Sequence, residues 1–375
     1  MIKGKRWCVA MSYPLRLLSE KISSHIEKRV YACPCGKGTI SEEQDYTPGF
    51  RDGFAALHCK ECESKYYIDF GSSQTKWSLK EKKEGELNMR NTIKQIVFEE
   101  FSKVVENIES DFCANYIRKR YNFLLSQLDE NMTANMVFVS SFESKSGFAI
   151  EACAKRIARL RFGDENVPTI VNPHNLRHGI NEASITGQII VTNVDTDDGN
   201  LRGEISAFRA NNVASGSGRL RRESGVTQAS IKRTLLPLAE KYKSDTIHRK
   251  PVDLAFFDGQ DWNVLELKAG GDLDSSNAPS NVEKLLTIYT GLNMPNSKAY
   301  FATLYNKDGE GRTWSGAVKK HMAFPEMFLI GKKFWEKILP DGISFEDFEE
   351  IYKEALEDID LNSRIHSMID SCAGN

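Results

Sequence analysis

The residues with types and spacing suited to chemistry lie in Pro251-Val252-Asp253 and Glu266-Leu267-Lys268, two carboxylates and a lysine. Between them Leu254 to Phe257 and Trp262 to Val264 are largely apolar and Asp258-Gly259-Gln260-Asp261 has turn composition, so a hairpin is predicted. With a four-residue loop Phe257 faces Trp262, and counting back places Asp253 across from Glu266. Alternation puts Glu266 and Lys268 on one face. Carboxylates about 5 Å apart on neighbouring strands repel unless a cation lies between them. A hard ion such as Mg2+ takes oxygen ligands and leaves room for water and a phosphate, which is the chemistry of phosphodiester hydrolysis. Lys268 would orient the attacking water and steady charge on phosphorus. The competing reading is an edge hairpin with a cross-strand salt bridge.

Such a hairpin must be held by other elements. Ser146 to Arg161 carries Ile150, Cys153, Ile157 and Leu160 at helical spacing, which sets Glu151 beside the buried stripe and leaves Lys155, Arg156 and Arg159 more exposed. Glu151 reads equally as a further acid of the metal site or as a surface acid paired with Lys155. Residues 135 to 140 read as a strand, residues 91 to 128 as long helix, and residues 1 to 30 as a short strand followed by a helix bearing Leu15, Leu18, Ile22 and Ile26. From Asn172 to Gly218 the chain is rich in Asn, Gly, Ser and Thr, the composition of recognition loops. His174 and His178 lie there as ordinary loop histidines. Positive charge then accumulates, with Arg209, Arg219, Arg221, Arg222, Lys232 and Arg233 at its centre. Arg and Lys beside amide side chains suit phosphate positioning and base-edge reading, so these six are the candidate DNA-binding residues. A solvated charged face is the alternative.

A second set of ligand types lies near the start. Cys33-Pro34-Cys35 and Cys59-Lys60-Glu61-Cys62 form two close pairs, each at a turn and each followed by β-prone residues. Two such knuckles supply the four thiolates that a tetrahedral Zn2+ requires. The segment resembles a zinc ribbon, although its first pair is Cys-x-Cys, and His58 could replace one cysteine. Four reduced cysteines in a small β unit is the other reading. Four candidate ligands leave no open position for water, so the zinc would be structural.

The Pro251-Val252-Asp253 and Glu266-Leu267-Lys268 pair resembles the PD-(D/E)xK nuclease motif, with Val252 inserted between the proline and the aspartate. The resemblance implies a restriction-endonuclease-like α/β core, a central mixed sheet flanked by helices. In it a helix precedes the hairpin, and a crossing helix (Asn281 to Tyr289) and a further strand (Lys298 to Tyr305) follow. It also implies an acidic residue on the first helix, here Glu151. The loop Ala269 to Asp274 and the recognition-sized insertion look like a type II restriction endonuclease. The resemblance implies a homodimer acting on double-stranded DNA, with Mg2+ held by Asp253 and Glu266, and products with 5′-phosphate and 3′-hydroxyl ends. A non-catalytic zinc-ribbon nucleic-acid-binding protein and a repair or recombination nuclease of the same superfamily are the alternatives.

Bulk properties bound these readings. A chain of 375 residues with 27 % charged and 40 % hydrophobic residues is long enough for more than one domain and is of ordinary globular composition. We expect residues 1–90 to form an N-terminal region with the ribbon at about 30–72 and a boundary in the polar run near 72–90. The nuclease core is expected over 91–330, with a recognition insertion at about 165–250, and a helical segment over 331–375. The net charge of −2 excludes a chain basic throughout but allows a local basic surface. No apolar run approaches the roughly 18 residues of a membrane span and the basic start lacks a signal-peptide core, so a cytoplasmic protein is expected. Reduced cysteines follow from that compartment, with Cys113 a buried core thiol and Cys372 without a chemical role.

Overall fold

Alternating burial and short turns build the first elements of the chain. The structure, a computed structural model, describes residues 15–48, 52–63, 65–70, 77–81, 84–216, 220, 222–270 and 276–373. The chain divides into two compact units, Met1–Thr92 and Ile93–Asn375.

The first unit contains strands β1 (Leu17–Ser23), β2 (Ile26–Ala32), β3 (Thr39–Asp45) and β4 (Asp52–His58) in an antiparallel sheet of that order. A short helix α1 (Lys60–Glu63) and the hairpin β5 (Tyr66–Asp69) and β6 (Ser78–Glu81) follow. In β3, Ile40, Glu42 and Gln44 alternate inward. Buried Glu42 accepts hydrogen bonds from Tyr31 Oη at 2.8 Å and Trp77 Nε1 at 2.9 Å, which offset its desolvation. The helix expected around Leu18, Ile22 and Ile26 is a hairpin instead, turning at Ser24 with φ 46°. Spacing by four along so short a run coincides with strand positions, and cross-strand pairing decides the outcome. The boundary run near 72–90 is partly structured as well, because Ser78–Glu81 pairs with β5 and helix α2 (Glu84–Arg120) has begun before residue 90; residues 71–76 and 82–83 lie outside the described residues.

In the second unit, α2 continues and is followed by α3 (Glu130–Phe162), whose N-cap Asp129 accepts from the backbone amides of Asn131 and Met132. The strand expected at 135–140 is the second turn and beyond of α3. Thr133, Ala134, Val137 and Phe138 are buried at helical spacing, and that face outweighs the β preference of the Val-Phe-Val run. Arg156 holds α3 to α2 through Glu99 at 2.7 Å and Glu100 at 2.9 Å. Strands β7 (Ile170–Val171), β8 (Gln188–Val194) and β9 (Lys243–Val252) form one sheet, with helices α4 (Gly199–Asn211) and α5 (Gln228–Lys241) between β8 and β9. The recognition-loop reading of 172–218 therefore gives way at Gly199, where Asp198 caps a regular helix.

The second sheet of this unit has the order β10 (Leu254–Phe257), β11 (Trp262–Lys268), β12 (Ser297–Thr303), β13 (Phe328–Ile330). β10 and β11 are antiparallel, whereas β11, β12 and β13 are parallel, with helix α6 (Asn277–Leu292) crossing from β11 to β12. Helices α7 (Lys332–Ile338), α8 (Phe345–Ile359) and α9 (Leu361–Ala373) complete the chain, α8 opening on a capping box between Ser344 and Asp347. The core gathers Leu285, Leu286 and Tyr289 of α6 with Val264, Phe301, Trp314 and Phe328.

Two glutamines, Gln188 buried and Gln228 half-buried, satisfy strand groups left open by this topology. Gln188 on β8 donates from Nε2 to the Ala255 carbonyl and accepts from the Ala255 amide, both at 2.7 Å, joining β10 to the other sheet. Gln228 at the start of α5 does the same for Ala299 of β12, at 2.8 and 3.1 Å. Cys113 and Cys372 are joined in a disulfide, with Cα atoms 5.4 Å apart. This corrects the expectation of a core thiol and an idle cysteine: α2 and α9 bring together residues 259 apart in the chain, a proximity that local spacing does not carry.

Candidate functional site

The hairpin turns where its composition predicts. Phe257 pairs with Trp262 and Leu254 with Leu265, so the loop is Asp258 to Asp261, braced by Lys337 Nζ on Asp258 Oδ2 at 2.7 Å. The ladder ends at Leu254 opposite Leu265, so Asp253 is not paired across from Glu266 as the count predicts; it stands in a bend between β9 and β10, where the chain passes from one sheet to the other. Its Oδ2 accepts the Leu267 amide at 2.9 Å, which fixes the carboxylate over β11. Glu266 is fully buried within β11, and Lys268, two residues on, reaches back so that its Nζ lies 2.7 Å from Glu266 Oε1.

Glu151 joins this group from α3. The helix lies on β10, with the Phe162 and Phe256 rings stacked at 4.6 Å, and the charges that act on Glu151 include those of Asp253, Lys155, Lys268 and Glu266. Burial first, then the Asp253 charge, raises the Glu151 carboxyl above the ordinary glutamate value. The same causes in the same order raise Glu266, although Lys268 and Lys284 act against them. Burial lowers Lys155, with Glu151 and Asp253 opposing it. Lys155 is thus half-buried beside the carboxylates, not on an exposed face, and Arg159 is occupied with the Val167 carbonyl at 3.1 Å.

Lys284 of α6 is the member that sequence reasoning missed. Its Nζ lies 2.7 Å from Glu266 Oε2 and 3.2 Å from Asp253 Oδ1, bridging the two acids. Burial alone would lower Lys284, but its pairing with Glu266 and Asp253 raises it. The signal available was a lysine in the crossing helix, and only the helix packing distinguishes it from a solvated one. Asp253 and Glu266, with a cation already drawn between them, offer the carboxylate oxygens that a hard divalent ion takes, and Glu151 acts on them through its charge.

The candidate DNA-binding residues fall into three situations. Arg209 is only 13 % exposed and pairs through Nε with Glu283 Oε1 at 2.7 Å, tying α4 to α6. Lys232 and Arg233 are exposed on α5 and line a surface cleft with His174 and Asn293, and Arg222 is exposed beside the backbone bridge to Ser215. Arg219 and Arg221 lie outside the described residues, as does most of the loop after Lys268.

In the first unit, Cys33, Cys35, Cys59 and Cys62 bring their sulfurs within 4.8 Å of one another. His58, the alternative ligand, instead meets Ser41 Oγ at 2.7 Å. Gly36 takes φ 75° in the first knuckle, and a Cβ on Gly38 would sit 2.5 Å from Cys59 Cβ, so both glycines are needed for the approach. Burial opposes ionisation of Cys33, yet hydrogen bonding from Cys35 and the Gly38 amide lowers its thiol to about 6, while burial raises Cys62. One negative charge is thus accommodated and further thiolates would need a cation, so the cluster could hold zinc.

A mixed sheet with an antiparallel hairpin and a flanking helix, near which an aspartate, two glutamates and a lysine lie, is the arrangement of a restriction-endonuclease-like α/β domain. Residues 196–355 match the family model described as "Type II restriction endonuclease, HinfI", so this stretch is similar to that family. The match includes Asp253, Glu266, Lys268 and Lys284, whereas Glu151 and the four cysteines precede it. No curated protein and no solved structure matches the chain.

Proposed function

We propose that the protein is a Mg2+-dependent type II restriction endonuclease, hydrolysing phosphodiester bonds of double-stranded DNA at a short specific sequence and acting as a homodimer. The observation that carries this is the convergence of Asp253, Glu266 and Lys268, with Glu151 from a separate helix, around a cation position inside or beside the matched domain.

Asp253 and Glu266 hold the ion, and Glu151 adds a third carboxylate. Mg2+ bound there supplies charge stabilisation at phosphorus and a more acidic water. The Leu267 amide keeps Asp253 turned inward, so the ligand geometry is set before substrate arrives. Lys268, anchored by Glu266 Oε1, orients the attacking water and offsets the charge that builds on the phosphate oxygens. Arg222, Lys232 and Arg233, with Arg219 and Arg221, position the DNA through its phosphates. The four cysteines hold a structural Zn2+.

The test is digestion of plasmid DNA with Mg2+ followed by sequencing of the fragment ends. Discrete fragments whose ends share one short motif and carry 5′ phosphates are expected. Intact DNA that remains bound to the protein would support a non-catalytic binding protein, and cutting confined to damaged or branched DNA would support a repair nuclease.

A further inference from the structure

We propose that Lys284 is a positioning residue that takes the place of the divalent cation between Asp253 and Glu266 in the metal-free protein and must withdraw for the ion to bind. The inference rests on the metal-site reading above.

Its ammonium occupies the bridging position itself, within 3.2 Å of Asp253 Oδ1 and 2.7 Å of Glu266 Oε2, whereas Lys268 takes the opposite oxygen of Glu266. Without that bridge the fully buried Glu266 would face Asp253 with one cation to serve both. The backbone that presents Lys284 is fixed. Val282, Leu285 and Leu286 around it are buried, and its neighbour Glu283 is pinned by Arg209 at 2.7 Å and Ser206 at 2.8 Å. The side chain is not fixed in the same way, being 44 % exposed against 29 % for Lys268. The site holds the acids Glu151, Asp253 and Glu266 among the ammonium groups of Lys155, Lys268 and Lys284. Adding a divalent ion to this set leaves an excess of positive charge, and Lys284 has the flexible stem and the open route to solvent that relieve it. The residue therefore keeps the acids together before loading and sets how much metal is needed to displace it.

Calcium titrations of the full-length chain, read calorimetrically, test this without cleavage as the readout. Lys284→Met should bind Ca2+ at least about tenfold more tightly than wild type, because no ammonium has first to be displaced from the two carboxylates. Lys284→Arg, which keeps the charge, should bind no more tightly than wild type. Metal-free Lys284→Met should also melt below wild type, with the gap closing in Ca2+. A purely structural lysine predicts the opposite sign, weaker binding in a loosened site. Unchanged or weaker Ca2+ affinity in Lys284→Met overturns the assignment, and Lys284→Gln is read by the same criterion should the Met variant not fold. Wild-type binding that Asp253→Asn abolishes, with Lys284→Met unchanged, overturns the Lys284 role alone; a wild type that binds no Ca2+ overturns the metal-site reading along with it.

Discussion

Glu151 and Glu266 carry the same electrostatic signature for the same reason, a carboxylate withdrawn from water and set near Asp253. For Glu151 this has a measurable consequence in the metal-free protein. Its folded pKa lies above its unfolded value near 4.5. The associated stability is therefore present below about pH 4.5 and is lost as pH rises through the folded pKa. Charged Glu151 is a liability at neutral pH, so Glu151→Gln should raise the metal-free melting temperature by a few degrees at pH 8. The difference should shrink as pH falls towards 4.5. A Gln variant that melts lower at pH 8 would contradict this account of its surroundings. Glu266, Lys268 and the turn could be read in the sequence because a hairpin has period two and its loop residues announce themselves. Asp253 could be placed only to its neighbourhood. Its exit from the ladder and its bond to the Leu267 amide depend on β9 belonging to another sheet. Lys284 left no trace in spacing, since which helical lysine meets the acids depends on how α6 packs.

At the scale of elements, side chains that substitute for missing strand partners hold the two sheets of the second unit together. Gln188 satisfies both backbone groups of Ala255, and Gln188→Leu would leave a buried amide and carbonyl without partners. We expect a loss of about 2–4 kcal/mol in urea unfolding, from a cost of about 1–3 kcal/mol for each orphaned group. The effect should include reduced cleavage, because Asp253 stands in the bend immediately before β10. Element identity was legible where a periodic face was long, as in the helix bearing Cys153 and Ile157, and failed where a short apolar run decided it. Val137 and Phe138 look β-prone until the buried face of α3 is traced through Thr133 and Ala134. The cysteine knuckles show the opposite case, in which two short motifs specify a cluster across a 24-residue separation. Metal analysis should find about one equivalent of zinc per chain, and Cys62→Ser should lose it together with thermal stability. A folded, metal-free wild type would remove the zinc reading.

For the whole molecule, the proposed catalytic group of one chain would have to address two DNA strands, which is the physical reason we expect a dimer. Light scattering should report twice the 42.4 kDa chain mass, at least when DNA is bound. The exposed Arg222, Lys232 and Arg233 should act through phosphates: Lys232→Ala combined with Arg233→Ala should weaken binding to all sequences alike and flatten its salt dependence. Arg209, paired with Glu283, belongs to the scaffold by its contacts, a distinction that charge counting along the chain does not make. We propose that Asp253 and Lys268 act in one metal-assisted hydrolysis. Its most direct measurement is single-turnover cleavage of one DNA substrate in Mg2+ by wild type, Asp253→Ala and Lys268→Ala prepared identically. Each variant should bind the DNA and cut it slower by about a thousandfold or more. Variants that cut at the wild-type rate would contradict it and place the nuclease site elsewhere.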